Sequence, residues 1–182
     1  PEIAAQGVET IDLIDDVIRC ARTLTFELSP PSLYELGLQA ALEWLVDTMH
    51  QQYGFRLSLF YDEKLDNIDQ NIRIIVFRAI RELLINIGKH ADATRVEISV
   101  VSRAPLLSVC VRDNGTGLSN DQKQLHHSSG FGLFSIRERI NPLGGRLEIQ
   151  SGKDQGTCVI LTLPIKLDQT QGRHHDNQNT AC

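Results

Sequence analysis

Long apolar runs are missing from this sequence, and so are clustered cysteines, a cationic surplus and the common phosphate-loop signatures. No stretch approaches the roughly 18 consecutive apolar residues of a membrane-spanning helix. No secretory leader is recognisable. Pro1 in place of Met suggests a piece excised from a longer chain, which leaves membrane segments upstream open. Cys20, Cys110, Cys158 and Cys182 lie far apart without CxxC spacing, which argues against zinc and catalytic-thiol chemistry. Cys110 and Cys158 fall within apolar strand patterns and read as small buried residues in a reducing compartment. With 18 basic against 23 acidic residues and a net charge of −5, the chain offers no electrostatic footprint for nucleic acid. No GxxxxGK[ST] occurs, and no GxGxxG follows a βαβ strand, so neither a P-loop nor a Rossmann site is expected.

What is present is a globular composition, 41% hydrophobic and 23% charged over 182 residues, enough for one domain and an appendage. The spacing predicts a helix from Thr10 to Leu28, with Ile11, Ile14, Ile18, Ala21, Thr25 and Leu28 forming a seam suited to a partner helix. Packing on its own domain is the alternative for that helix. Ser29-Pro30-Pro31-Ser32 stops it and marks a domain boundary. Further helices are expected over Gly37–Gln52, Ile72–His90 and Gly132–Asn141, the last closed by Pro142 and Gly144-Gly145. Arg56–Tyr61 reads as a lone strand. Arg95–Val101 with Leu106–Val111, and Arg146–Ser151 with Thr157–Leu163, read as two hairpins. Hairpins and a lone strand interleaved with helices imply an α/β sandwich, a mixed sheet covered by helices on one face. Residues 166–182 are polar and expected to be disordered.

Three places carry chemistry. At roughly 100° per residue, Ile72, Val76, Ala79, Ile80, Leu83 and Ile87 form the core sector of their helix. Arg78, Glu82, Asn86 and Lys89 stack on a neighbouring sector. A solvated stripe would look similar, but asparagine is a poor mid-helix residue and suggests a site. An amide oxygen can bind Mg²⁺, lysine can meet a phosphate, and a carboxylate one turn away can assist a nucleophile.

The second place is Asp113-Asn114-Gly115-Thr116-Gly117, directly after an apolar strand. A plain hairpin turn is one reading of Asn-Gly. The polar stretch that follows lacks a strand period, which favours another: Asp113 accepts a hydrogen bond from an exocyclic amine such as that of adenine, and Gly115 and Gly117 let the chain pass under a flat base. The third place is Gly130-Phe131-Gly132-Leu133, glycines at a helix start where backbone amides can meet an anion. The residues between Leu118 and Gly130 would form a flap over the nucleotide.

In this order, Glu82 to Asn86 with Lys89-His90, Asp113 to Gly117, Gly130 to Leu133, and Gly156-Thr157 resemble the N, G1, G2 and G3 boxes of the GHKL ATPase superfamily. The likeness is to the ATP-binding catalytic domain of sensor histidine kinases of two-component systems, the NarX/DesK/LiaS-like group, and spans about residues 25–165. Leu28 to Leu33, Gly37-Leu38, Arg137-Glu138-Arg139 and Leu143 to Arg146 agree with it. The resemblance implies a Bergerat-type ATP-binding fold over residues 30–165, preceded at 1–29 by the end of a dimerisation helix.

It also implies roles. Asp113 binds the adenine amine, helped by Thr157 through water. Asn86 holds Mg²⁺, and Lys89 and His90 face the phosphates. Gly130, Gly132 and Leu133 end the ATP lid. Glu82 assists phosphoryl transfer to histidine. The partners implied are ATP and ADP, a phosphoacceptor helix of the same kinase, and a response-regulator receiver domain. The full-length protein would be a homodimer, its domain cytoplasmic even where the parent is membrane-anchored, and the piece itself is compatible with a monomer. Of His50, His90, His126, His127, His174 and His175, only His175 precedes an acid, and it lies in the tail. The phosphoacceptor histidine is therefore expected on a helix outside this sequence, so the piece binds ATP without completing its own phosphorylation. Two alternatives stay open: a catalytically inactive nucleotide-binding signalling module, and another GHKL ATPase such as an anti-sigma-type serine kinase or part of a topoisomerase.

Overall fold

The structure is a computed structural model that describes residue 33 and residues 35–62, 65, 68–103, 105–117 and 131–165. The expected helix Thr10–Leu28, the Ser-Pro-Pro boundary, the Leu118–Gly130 segment and the tail lie outside the described residues. The elements run α1 (Gly37–Tyr53), β1 (Arg56–Tyr61), α2 (Gln70–His90), β2 (Arg95–Arg103), β3 (Leu106–Asp113), α3 (Phe131–Ile140), a 3-10 turn (Asn141–Leu143), β4 (Arg146–Ser151) and β5 (Thr157–Pro164).

The five strands form one sheet in the order β1-β2-β3-β5-β4. Only β1 and β2 run parallel; the other neighbours are antiparallel, so the sheet is mixed. Alternation decides its faces. Val96, Ile98 and Val100 of β2, Leu107, Val109 and Val111 of β3, and Val159, Leu161 and Leu163 of β5 are all buried on one side. The register confirms that they share it: Ile98 faces Val111, Val111 faces Val159, and Val109 faces Leu161. The other side carries Arg95, Glu97, Arg112, Glu148 and the 63%-exposed Phe60, and no described helix covers it.

Helix α2 lies at the centre of the covered side. Its six expected core residues are buried, and so are Phe77 and Leu84. The apolar sector is wider than one sheet requires because α1 and α3 also pack against this helix. Asp69 starts it: its Oδ1 accepts from the Asn71 N–H at 2.8 Å, which satisfies one of the free donors of the first turn. That cap explains why α2 begins two residues ahead of the expected Ile72. Helix α3 instead stops at Ile140, and Pro142 enters the short 3-10 turn that Gly144 closes at φ +74°. β3 continues past the expected Val111 to Asp113, because Val96 pairs with Asp113 at the end of the ladder. The carboxylate expected at the site thus belongs to the sheet itself.

Replacing Phe77, 1% exposed, by alanine is expected to cost roughly 3–5 kcal/mol in urea denaturation. Phe60→Ala, on the helix-free face, should stay within about 0.5 kcal/mol.

Candidate functional site

Asp113 is the one buried charged residue among the described residues, at 5% exposure. It stands on the core face beneath α2, and its Oδ1 accepts from the Gly115 N–H at 2.8 Å. Among the described residues this is the sole hydrogen bond to its side chain. An ionised carboxylate offers about four acceptor positions. The described residues therefore leave most of this group's acceptor positions unfilled.

The turn after Asp113 is fixed from three directions. Asn114 turns back to β2: its Oδ1 accepts from the backbone N–H groups of Thr94 and Arg95, and its Nδ2 donates to Thr94 Oγ1 at 2.9 Å. Thr116 N–H donates to the carbonyl of Ala91, the residue that closes α2. Asp154 N–H, from the β4–β5 turn, donates to the Thr116 carbonyl at 2.7 Å. The last turn of α2, with Lys89 and His90 exposed on it, is thereby tied to the end of β3.

The glycines have structural causes of their own. A β-carbon at Gly115 would collide with the Ala91 carbonyl, one at Gly117 with the Gly152 carbonyl, and one at Gly156 with the carbonyl of Asp113 itself. Gly117 and Gly156 also adopt φ near +70°, where other residues are strained. Room for a base explains Gly115 and Gly117 from sequence alone; in the folded chain, backbone approaches backbone at both. Thr157 is half-buried at the start of β5, its hydroxyl 3.0 Å from Ser151 Oγ, which also donates to the Gly156 carbonyl. Extending the β3–β5 register by one step sets Thr157 beside Asp113.

Glu82 and Asn86 on α2 are half-buried, unlike residues of a solvated stripe, while Lys89 is exposed. Glu82 lies against the first turn of α3, where a β-carbon at Gly132 would collide with its carboxylate. The α2 stripe thus reaches from the start of α3 at Glu82 to the Asp113 turn at Lys89 and His90, with Asn86 between. Gly132 and Leu133 are half-buried in α3; Gly130 lies outside the described residues. No group of three or more His, Cys, Asp or Glu side chains that could cage a metal occurs among the described residues. A lone amide oxygen at Asn86 fits a hard cation that keeps its waters and is shared with phosphate, not one held by protein alone.

Sequence reasoning misses two contributors. Asn114 reads there only as part of a turn, although an Asn preceding Gly is itself a signal of local backbone bonding. Gly88 is a glycine inside a helix, where a side chain would collide with the ring of Tyr53. That ring stacks on Phe55 with centroids 5.7 Å apart and planes 3° from parallel, which seats the last turns of α2 on the end of α1.

A family model described as histidine kinase-, DNA gyrase B-, and HSP90-like ATPase matches residues 71–167. The signal transduction histidine-protein kinase/phosphatase DegS of Brevibacillus brevis is 29% identical over 148 residues, 81% of this chain but 38% of that protein. Among solved structures, the histidine kinase domain of the blue-light activated kinase EL346 of Erythrobacter litoralis aligns at TM-score 0.62 and 20% identity, over 70% of this chain and 61% of that one. Full-length ShkA, solved in complex with AMPPNP, aligns at TM-score 0.59 and 17% identity, over 72% and 30%. The structural likenesses establish the fold.

Two glycines at left-handed φ separate conformational strain from collision. Gly144→Ala, whose β-carbon meets only Pro164 Cγ at 3.5 Å, should cost about 1–2 kcal/mol. Gly156→Ala adds a backbone collision and should cost roughly 1–3 kcal/mol more in the same denaturation experiment.

Proposed function

The chain belongs to the histidine kinase-, DNA gyrase B- and HSP90-like ATPase family, and we propose that it is the ATP-binding catalytic domain of a sensor histidine kinase, transferring the γ-phosphoryl group of ATP to a histidine on a dimerisation helix. The observation that carries this reading is the buried carboxylate of Asp113, which among the described residues has one donor and spare acceptor positions. A phosphate would be repelled there, whereas the exocyclic amine of adenine is a donor of the right kind. Thr157 supports the same base through water from the neighbouring strand.

From the base, the nucleotide runs towards α2. Lys89 and His90 offer positive and hydrogen-bonding groups to its phosphates. Mg²⁺, bound at the Asn86 amide oxygen, would offset the charge gathered on the phosphate oxygens. Gly130, Gly132 and Leu133 end the lid, and the amides of the first α3 turn face negative charge. Glu82, half-buried against that turn, accepts a hydrogen bond from the incoming histidine and orients its free nitrogen towards the γ-phosphorus. The remainder of the reading is domain organisation: residues 30–165 as the catalytic unit, 1–29 as the end of a helix from a dimeric bundle, and 166–182 as a polar tail. A receiver domain of a response regulator is the expected final acceptor, and the domain acts in the cytoplasm. Among the described residues no helix is long and apolar enough to cross a membrane.

Calorimetric titration tests the nucleotide site. ATP and ADP should bind the 182-residue chain. Asp113→Asn, which keeps the volume and an acceptor for Gly115 but presents an amide to the amine, should weaken both by tenfold or more, the size of a lost charged hydrogen bond. Asn86→Ala should retain nucleotide and lose its Mg²⁺ dependence. Failure of folded wild-type chain to bind either nucleotide would sink the reading.

Glu82→Gln separates chemistry from binding. In a longer chain carrying the phosphoacceptor helix, autophosphorylation should fall by roughly 10²–10⁴-fold with ATP affinity unchanged. A variant as fast as wild type removes Glu82 from the mechanism.

A further inference from the structure

Cys110 on β3 and Cys158 on β5, 48 positions apart in sequence, meet on the helix-free face with their sulfurs 3.2 Å apart. Both are free thiols. The register accounts for the meeting: Cys110 lies opposite Ile160 and Arg112 opposite Cys158, so the thiols occupy diagonal positions on adjacent antiparallel strands. A disulfide needs about 2.05 Å, so the sulfurs must approach by about 1 Å from their 3.2 Å separation. Cys110 is half-buried and Cys158 is 7% exposed, which makes Cys110 the sulfur that a solute reaches first. Arg112 Nη2, 3.9 Å from Cys158 Sγ, places a positive charge beside the pair.

We propose that Cys110 and Cys158 are a reversible oxidation site, closing to an intramolecular disulfide by exchange with a low-molecular-weight disulfide such as oxidised glutathione. The Cys110 thiolate attacks one sulfur of the small disulfide, breaking its S–S bond and releasing one small thiolate. Cys158 then gives its proton to solvent and attacks the Cys110 sulfur of the mixed disulfide, and the second small thiolate leaves. The two cysteines lose two electrons and two protons. The small disulfide gains both and departs as two thiols. Burial and the neighbouring Cys158 push the Cys110 thiol up to about 11, which leaves little thiolate near neutral pH and makes the first step slow. The site does not depend on the nucleotide reading, although it occupies the same two strands: Cys110 precedes Asp113 by three residues and Cys158 follows Thr157.

The test uses the 182-residue chain carrying Cys20→Ser and Cys182→Ser, equilibrated against mixtures of reduced and oxidised glutathione, then alkylated and weighed. The expected product is the monomer lighter by two hydrogens, with one peptide linking Cys110 to Cys158, reopened by dithiothreitol. Cys110→Ser and Cys158→Ser should each stop at a mixed disulfide or remain unreacted. Two alkylated thiols across the whole glutathione series would overturn the proposal. So would a disulfide joining two chains, or one that forms only in urea. Peptide mapping of the unsubstituted chain decides between the same outcomes if the serine variant does not fold.

Discussion

A carboxylate with 5% exposure at the end of a strand is costly to keep in a protein interior unless donors meet it. Among the described residues Asp113 receives one donor, the Gly115 N–H, and the backbone around it is closely packed. Gly156 lies against its own carbonyl, Gly115 against the end of α2, and Gly117 against the β4–β5 turn. These three approaches hold β3, α2 and the last hairpin at a common point. The glycines thus act indirectly, by fixing the backbone around the acid.

Helix α2 transmits that fixation. Its apolar residues reach the sheet, α1 and α3 at once, so its axis has little freedom to shift. The polar residues Glu82, Asn86 and Lys89 ride on a rod whose start is capped by Asp69 and whose end is tied to the β3 turn by the Ala91 carbonyl accepting from Thr116. Groups four and three residues apart on such a rod keep their mutual spacing without needing contact with one another. That is what the proposed nucleotide site needs, since a base at one end and phosphates at the other make a ligand longer than any single side chain.

The α2 periodicity is legible in the sequence because six apolar positions at helical steps leave one orientation for the polar stripe, and the half-burial of Glu82 and Asn86 fits a site rather than a solvated face. Asp113 is legible as a candidate site residue, since a carboxylate closing an apolar strand has no packing reason to be there. The strand's continuation to Asp113 is not, because the residue that extends the ladder, Val96, is set by pairing across the sheet. The cause of the glycines escapes a local reading for a related reason: positive φ can be guessed from a turn motif, but the carbonyls of Ala91 and Gly152 approach from distant segments. Asn114 shows the same limit. Its partners lie 19 and 20 positions away, so nothing local distinguishes it from an ordinary turn asparagine.

Strand parity explains why one pair of strands carries two chemistries. Successive residues alternate faces, so Val111 and Asp113 point under the helices while Cys110 and Arg112 point away from them. On β5, Thr157 and Val159 share the covered side, and Cys158 lies between them on the other. A slip of one residue in the β3–β5 register would bury Arg112 and bring the acid out to water. The apolar ladder of Leu107, Val109 and Val111 against Leu163, Leu161 and Val159 forbids that slip. The burial that fixes the Asp113 carboxylate on one face is therefore the burial that fixes two sulfurs 3.2 Å apart on the other.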